Sequence, residues 1–204
     1  MGSERSLTAR ESSDAPLTLR QREIIEHAIR LIDRHGIQAL TIRHLARELG
    51  ITDPAIYRHF ASKTQILMGV LDVLERETVH EAPPRNAGAV ESLESQFTAL
   101  FERLAAVPAL SAVVFADEAF LNEEPLAERV RELMERTQRL VENLIEQAQR
   151  DGSFRSDIPA PALATMLVGS VRFVVRRWHI NRHRFDLVRE GRAVVSTFLT
   201  LVAG

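Results

Sequence analysis

The sequence predicts an all-α protein. Apolar residues recur three and four positions apart along most of the 204 residues, which is the helical period, whereas the alternating pattern of a β-strand is almost absent. The few glycines stand mostly where helical segments would end, because glycine readily adopts the left-handed backbone that follows a helix. We expect about nine helices, a small N-terminal group of three and a larger C-terminal group.

The first three helices are predicted close to the N-terminus. An apolar stripe of Ile, Leu and Ala indicates a first helix over residues 19–35. Thr41 is a suitable N-cap for a short second helix that ends at Gly50. Thr52 caps a third helix with Pro54 in its first turn, where a missing backbone N–H costs nothing.

The remaining helices are predicted from capping residues and from residues that end or interrupt a helix. Ser62 and Gln65 match the S-x-x-Q capping box, so a fourth helix should run to about His80. Residues 81–89 contain two prolines and a glycine and are predicted to form a linker. Five further helices are expected at residues 90–107, 109–121, 125–150, 159–180 and 186–203.

The charge is unevenly distributed along the chain. The net charge is −2, which is unusual for a DNA-binding protein. Residues 18–63, however, contain eight Arg or Lys and five Asp or Glu, a net charge of +3, whereas residues 66–204 contain 16 basic and 20 acidic residues, a net charge of −4. The asymmetry is modest, and it favours an anionic binding partner for the N-terminal residues.

Two classes of protein are disfavoured by composition. The chain has no cysteine, which excludes disulfides, thiolate metal sites and cysteine nucleophiles. It has no apolar run long enough to span a bilayer and no apolar secretory segment near residue 1. We therefore expect a cytoplasmic protein without a membrane partner, with a flexible arm over residues 1–17.

Residues 36–63 carry the most informative pattern. They predict two short helices joined by a tight turn at residues 49–51, above a core supplied by the first helix, and this is the arrangement of a helix-turn-helix. The pattern T-x-x-x-L-A-x-x-L-G-I-T-x-P-A-I-Y-R-H-F-x-S-K closely resembles the DNA-binding segment of TetR-family transcriptional regulators. The resemblance covers about residues 19–71, and the later helices match that family in number and length only.

The resemblance implies a DNA-binding domain over residues 18–64 that contacts a near-palindromic double-stranded operator. Helix N-termini offer free N–H groups and partial positive charge to phosphates, which agrees with this assignment. Lys63 is implied to bind phosphate, and Arg58 to reach phosphate or a guanine edge. The implied contacts are Thr41, Arg43, Thr52, Asp53, Pro54, Ala55, Tyr57, Arg58, His59 and Lys63.

Some of these residues have plainer interpretations that the sequence leaves open. Tyr57 lies at an apolar helical spacing and could be a core residue. Arg43 and His59 could be solvated surface side chains. Many relatives carry a neutral residue or glycine where this chain has Asp53 and Pro54, and a carboxylate would repel phosphate, so direct base contact by Asp53 stays open.

The last two predicted helices are apolar on more than one face and need burial on two sides. A two-fold dimer in which they form a four-helix bundle would provide it, and the resemblance implies the same homodimer. A larger intramolecular core is the alternative. The expected interface residues are Leu167, Val171, Val174, Val195 and Phe198.

The resemblance further implies that residues 65–204 bind a small apolar or amphipathic effector and that this ligand releases a repressor from its operator. An apolar pocket with few polar groups is the ordinary form of such a site. Plain core packing is the alternative for every candidate lining residue. The candidates are Phe97, Phe101, Leu104, Phe120, Met134, Gln138, Val141 and Arg172.

Two other functions are alternatives to this one. An enzyme is disfavoured because no G-x-S-x-G, glycine-rich phosphate loop or nucleotide fingerprint is present. His179 and His183 are spaced i, i+4, but no H-E-x-x-H pattern or partnering carboxylate spacing accompanies them, so we expect neither metal nor cofactor. The other alternative is a DNA-binding regulator without an effector, controlled by a protein partner or acting architecturally.

Overall fold

The computed structural model describes residues 17–78 and 87–204, and these residues form ten α-helices and one 3-10 turn, residues 37–39. The α-helices are α1 (Leu19–His35), α2 (Ile42–Leu49), α3 (Asp53–Tyr57), α4 (Lys63–Thr78), α5 (Ala89–Ala106), α6 (Leu110–Val114), α7 (Asp117–Phe120), α8 (Glu124–Arg150), α9 (Ala160–Ile180) and α10 (Leu187–Val202). We call α1 to α3 the head and α4 to α10 the body. The predicted all-α class is confirmed, and within the described ranges the only β feature is an antiparallel bridge between Phe154 and Ala203.

The helix predicted over residues 109–121 is interrupted, and the prediction of one continuous helix was wrong. Phe115 leaves the helical backbone (φ −111°, ψ 15°) and separates α6 from α7. Its ring lies under two guanidinium groups of α9, those of Arg172 at 5.5 Å and Arg176 at 5.0 Å from the ring centroid. The break therefore places an aromatic ring against α9, a contact that local periodicity does not reveal.

Smaller differences concern the predicted arm and linker. Residues 1–16 of the arm, the end predicted for α4 at His80 and residues 81–86 of the linker lie outside the described residues. Leu17, the last residue of the predicted arm, packs against the core. Ala89, the last residue of the predicted linker, is the first residue of α5 and is buried.

Side-chain caps begin three of the first four helices. Thr18 and Gln21 form a reciprocal capping box at α1. Thr41 Oγ1 accepts a hydrogen bond from the His44 backbone N–H at 3.1 Å at the start of α2. Thr52 stands before α3 but accepts no such bond, so the predicted side-chain cap there is absent and α3 depends on its early proline.

The predicted capping box at α4 is present with one change of partner. Ser62 Oγ accepts the Gln65 backbone N–H at 3.2 Å. The Gln65 side chain, in turn, accepts the backbone N–H of Ala61 at 2.7 Å instead of that of Ser62. The box thus satisfies two donors at the junction of head and body.

The head and the body share one continuous hydrophobic core. The centre of the head is α1, in which Ile24, Ile25 and Leu31 are fully buried. Helix α4 lies close to α1 at Gly69, where a Cβ atom would lie 2.6 Å from Ile25 Cδ1. Because α4 packs so closely on α1, a shift of α4 is expected to carry the head with it.

In the body, α10 packs on α5 and α9, and α8 packs on α9. The contact of α10 with α5 is tight at Gly191, where a Cβ would lie 2.5 Å from the ring of Phe101. In the described residues no helix is both long and apolar enough to cross a bilayer. These packing relations leave a cavity between α4, α5, α8 and α9.

Candidate DNA-binding surface and ligand cavity

The turn between α2 and α3 has the geometry of a helix-turn-helix. Gly50 adopts the left-handed conformation (φ 65°, ψ 30°), and the Ile51 backbone N–H donates to Ala46 O at 2.9 Å. A side chain at Gly50 would be strained in this conformation. Leu45, Ile56 and Phe60 are buried beneath the two helices, so the core of the head sets how α3 crosses α2.

None of the ten predicted DNA contacts is buried. The side chains of Thr41, Arg43, Thr52, Pro54, Tyr57 and Arg58 are exposed, and those of Asp53, Ala55, His59 and Lys63 are half-buried. Tyr57 is 53% exposed, whereas its neighbour Ile56 is fully buried. The core interpretation of Tyr57 is therefore wrong, because Ile56 and Phe60 take the inward positions of this segment.

A depression of about 430 Å³ lies between α2 and the beginning of α3. It brings together three of the predicted residues, and it adds His44 and Arg47, which the sequence analysis did not select. The sequence could have identified Arg47, since it stands one helical turn after Arg43 and lies on the same face of the helix. The lining residues are Thr41, Arg43, His44, Ala46, Arg47, Ile51 and Asp53.

Hydrogen bonds from α1 and from the 3-10 turn hold this surface in place. Gln21 Nε2 donates to the His59 backbone oxygen at 3.3 Å and so ties the beginning of α1 to the residues that follow α3. The His44 Nδ1 atom lies 3.2 Å from Ala39 O. The helix-turn-helix is consequently held at the beginning of α2 and just after the end of α3.

The cavity in the body has a volume of about 570 Å³ and a mostly apolar lining. Six of the eight predicted effector residues line it, namely Phe97, Leu104, Phe120, Met134, Gln138 and Arg172. Phe101 and Val141 do not. Both are buried, and the ring of Phe101 lies instead against Gly191 of α10, so these two predictions were wrong.

The sequence analysis missed the contribution of α4 to this cavity. Leu71, Leu74 and Thr78 line it together with Leu100 and Leu133. Nothing in the apolar spacing of a single helix tells a cavity wall from a filled core. The consequence is that one helix joins the head at its first turn and the cavity at its last turns.

Polar groups at the cavity are already oriented by the protein. Gln138 Nε2 donates to Thr165 Oγ1 and to Pro161 O, both at 3.2 Å. Arg172 Nη2 lies 3.5 Å from Val114 O, and its guanidinium stands over the Phe115 ring. A ligand would therefore meet an apolar wall with a few oriented donors.

An ion-pair network joins α4 to α8 beside the cavity. Arg129 pairs with Asp72 at 2.9 Å and with Glu75, and Arg136 pairs with Glu75 at 2.8 Å. Burial opposes the charge on Arg129, but the hydrogen bonds that its guanidinium donates to Glu75 and Asp72 outweigh this effect, and the pKa of Arg129 is raised above its ordinary value. The network ties the middle of α4 to the long helix α8.

The five predicted dimer-interface residues are buried inside the single chain. Leu167, Val171, Val174, Val195 and Phe198 are all at most 8% exposed, and Val171 also lines the cavity. Their prediction as interface residues is corrected, because their side chains are covered by the chain's own core. The exposed large apolar residues of α9 and α10 are Met166, Phe173, Ile180 and Leu201.

Two family models match the chain. The model described as bacterial regulatory proteins, tetR family, matches residues 24–70, which include α2, α3 and the turn between them. The model described as YsiA-like protein, C-terminal region, matches residues 64–202. Together the two matches span residues 24–202.

Individual proteins agree with these matches. The HTH-type transcriptional repressor KstR2 of Rhodococcus jostii is 30% identical over 167 residues, 78% of this chain and 79% of that protein. The nucleoid occlusion factor SlmA of Vibrio vulnificus is 23% identical over 167 residues, 78% of this chain and 83% of that protein. The structure of the transcriptional regulator FadR from Bacillus subtilis in complex with stearoyl-CoA has a TM-score of 0.70 at 19% identity, covering 88% of this chain and 97% of that chain, and so shares the fold. This chain therefore belongs to the TetR family of bacterial regulatory proteins.

Proposed function

We propose that the protein is a homodimeric repressor that binds a near-palindromic operator through α2 and α3 and is released by an apolar or amphipathic ligand. The observation that carries the proposal is that α4 extends from the head to the cavity. Lys63 begins this helix at the junction with the head, and Leu71, Leu74 and Thr78 line the cavity. A ligand that fits only one position of α4 would change how the two heads are held, with a coupling of typically about 1–3 kcal/mol.

The head supplies the DNA-binding part of the proposal. The exposed residues around the starts of α2 and α3 would meet the duplex, with Arg43 and Arg47 beside phosphate and Arg58 at phosphate or a guanine edge. Each basic contact with phosphate releases counterions, so operator affinity should fall steeply with salt. Asp53 lies in the same depression as Arg43 and Arg47, and we assign it to the start of α3 instead of to a base.

The exposed face of α9 and α10 supplies the dimer. Met166, Phe173, Ile180 and Leu201 are 61–70% exposed in the single chain. Large apolar side chains grouped on two neighbouring helices favour burial against a partner, and a two-fold axis through this face would give a four-helix bundle. Two heads about 34–36 Å apart would then enter successive major grooves.

The cavity indicates the class of ligand. Its volume of about 570 Å³ falls within the usual range for small-molecule sites, about 300–1,000 Å³. Its lining is apolar apart from a few groups such as Gln138 and Arg172. With a structural relative solved in complex with stearoyl-CoA, we favour a fatty acyl compound, whose chain would lie in the cavity and whose polar end would meet these groups.

A second function is favoured by one relative. The SlmA protein is named as a nucleoid occlusion factor, which fits a DNA-binding protein that works without a small-molecule effector. This alternative leaves the apolar cavity without a role. It predicts tight operator binding that no acyl compound alters.

The DNA-binding part is tested by selecting bound sequences from random duplex DNA with wild type and with the double variant Tyr57→Ala/Lys63→Ala. We expect wild type to enrich a near-palindrome and the double variant to enrich none. A folded wild-type dimer that selects no sequence at low salt would contradict the proposal.

The effector part is tested by adding fatty acyl-CoA compounds of graded chain length to the fluorescent operator complex and measuring anisotropy. Val168→Trp should fill the cavity, since Val168 lines it, and should retain operator binding while losing the response. Val168→Ile is the matched control and should still respond. Saturable acyl-CoA binding with unchanged operator affinity would contradict the release mechanism and favour the second function.

A further inference from the structure

Two histidines and an aspartate meet where α1 of the head approaches the end of α9. One carboxylate oxygen of Asp33 and one ring nitrogen each of His179 and His183 lie within 4.8 Å of one another, and all three residues are half-buried. The ring centroids of the two histidines are 5.8 Å apart. The cluster therefore joins a residue of the head to two residues of the body.

A buried serine holds both imidazole rings. Ser111 of α6 is fully buried, and its hydroxyl donates to Pro108 O at 2.7 Å. The same Oγ atom lies 2.9 Å from His179 Nδ1 and 3.1 Å from His183 Nε2. Because the hydroxyl hydrogen goes to Pro108, Ser111 Oγ can accept an N–H from each ring, and this orients both imidazoles.

The backbone after α9 is bent to bring His183 back to His179. Arg182 (φ 51°) and His183 (φ 60°) are, among the described residues, the only non-glycine residues with positive φ, and such left-handed residues concentrate at functional sites. The His183 backbone N–H donates to Trp178 O at 2.9 Å, and the rings of the two residues are in tilted contact with centroids 4.2 Å apart. Trp178 Nε1 donates in turn to Phe185 O at 3.0 Å, so the bend is built by several contacts.

The donor set has the chemistry of a zinc-type site. Imidazole nitrogen and carboxylate oxygen are ligands of Zn²⁺, and three protein ligands leave a position for water. With bonds of about 2.0–2.2 Å, tetrahedral donors stand about 3.5 Å apart. Small side-chain rotations would therefore bring the three donors onto one ion.

The charged groups beside the cluster are Asp33 and Arg176. Burial, then the nearby His183, lower the pKa of His179 below its ordinary value, with Asp33 acting in the opposite direction and Arg176 in the same one. Arg176 opposes a cation, but its guanidinium is stacked on the Phe115 ring, 5.0 Å from the centroid.

We propose that Asp33, His179 and His183 form a site for a divalent transition metal of the zinc class, which ties α1 of the head to α9 of the body. The inference goes beyond the proposed function and does not depend on it, since metal binding is measured without DNA or acyl ligand. It also reverses the expectation of no metal site. The carboxylate that the sequence pattern lacked comes from α1, far from the histidines along the chain.

Binding is tested on tag-free protein that has been stripped with a chelator. Zn²⁺ is titrated calorimetrically, and Co²⁺ is added as a spectroscopic probe of the ligand geometry. We expect one equivalent of Zn²⁺ per chain, more than tenfold weaker binding in Asp33→Asn and in His183→Asn, and loss of the Co²⁺ absorption in both. Asparagine is chosen at position 183 because it tolerates the left-handed backbone.

Control variants remove a comparable group from α1 outside the cluster. Glu26→Gln and His35→Gln should bind Zn²⁺ like wild type, and metal-free circular dichroism verifies that every variant is folded. The proposal is overturned if wild type binds no tighter than the Asp33→Asn/His183→Asn double variant, or if His35→Gln weakens binding as much as His183→Asn does.

The bridging role is tested by amide hydrogen exchange with and without Zn²⁺. We expect slower exchange both in the C-terminal half of α1 and in residues 178–185. Protection of residues 178–185 alone, with α1 unchanged, would contradict the assignment of Asp33 as a ligand.

Discussion

Lys63 is the only lysine of the chain and stands where the head joins the body. It is the first residue of α4, and the capping bonds of Ser62 and Gln65 define the backbone that presents it. At this position a cation and the helix N-terminus would act in the same direction on a phosphate of the duplex. A single side chain would thus contribute to operator affinity, and it lies on the helix that would report ligand binding.

Removing this charge should weaken operator binding and its salt dependence together. In Lys63→Ala each dimer loses two phosphate contacts, so the slope of log affinity against log salt should become shallower by about 2, at about 0.9 per contact. Anisotropy titrations over a salt series measure the slope. Arg150→Ala, which removes an exposed charge at the far end of α8, is the control, and an equal effect there would contradict a specific role for Lys63.

His27 should make the head sensitive to acid. Burial, then the charge of Arg30, lower the pKa of His27 from its ordinary value of 6.5, and its Nδ1 is buried without a hydrogen-bond partner. Below pH 6.5 the unfolded chain therefore binds more protons at this residue than the native one does. The free energy of unfolding then falls as the pH decreases from the pKa of His27 in the unfolded chain through its lower pKa in the folded protein.

Urea unfolding between about pH 5 and pH 7.5 tests this linkage. The loss of unfolding free energy toward acid should be smaller in His27→Gln than in wild type. His35→Gln, an exposed histidine of the same helix, should follow wild type. Parallel curves for wild type and His27→Gln would exclude His27 as the source.

At the scale of elements, two helix–helix contacts are close because a glycine has no side chain at the point of contact. Gly69 lets α4 approach α1, and Gly191 lets α10 lie on the ring of Phe101 in α5. The ion pairs of Arg129 and Arg136 add a polar contact between α4 and α8. Because α4 takes part in both the apolar and the polar contacts, its position is determined by the head and by α8 together.

Substitution at Gly191 should destabilise the contact of α10 with α5. In Gly191→Ala the new methyl would lie 2.5–2.6 Å from three atoms of the Phe101 ring, and the ring is fully buried and cannot swing away. Such overpacking costs about 1–3 kcal/mol, which the higher helix propensity of alanine, about 1 kcal/mol, offsets in part. We expect a net loss of unfolding free energy in denaturant titrations.

A double-mutant cycle identifies the cause of that loss. Phe101→Leu removes the ring atoms that the methyl would meet, so Gly191→Ala should cost less in the Phe101→Leu background than in wild type. Equal costs in the two backgrounds would show that the effect arises elsewhere in α10.

For the whole molecule, the arrangement of α9 and α10 separates a core face from an outer face. Leu167 and Val195 are buried inside the chain, whereas Phe173 and Leu201 are exposed. The residues selected from the sequence for the dimer interface belong to the inner face. Their burial means that substitutions there report on folding and not on association.

Association and folding should therefore respond to different substitutions. Phe173→Asp should convert the dimer to a folded monomer in sedimentation or light-scattering measurements, since it places a charge in the apolar face. Leu167→Ala should leave a cavity and lower the unfolding free energy by about 2–5 kcal/mol, with the dimer retained where the chain is folded. A fully dimeric Phe173→Asp protein would contradict the proposed face.

Local features were sufficient to predict most helix boundaries. The first helix was predicted over residues 19–35 and is observed at Leu19–His35, because capping at Thr18 and the turn at Gly36 are decided by neighbouring residues. The helix-turn-helix pattern and the buried positions of Leu45, Ile56 and Phe60 are likewise local. Phe115 shows the limit, since its break depends on contacts with α9.

By itself, then, the sequence determined the all-α class, the helix-turn-helix and the family resemblance, since periodicity, caps and motif spacing depend on residues close along the chain. Only the tertiary structure decided which side of α9 is buried, that Phe101 fills a contact while Phe97 lines a cavity, and that Asp33 meets His179 and His183. The physical reason is that burial, cavities and ligand clusters arise from contacts between distant segments. When a helix is apolar on several faces, its sequence does not tell which face the neighbouring helices will cover.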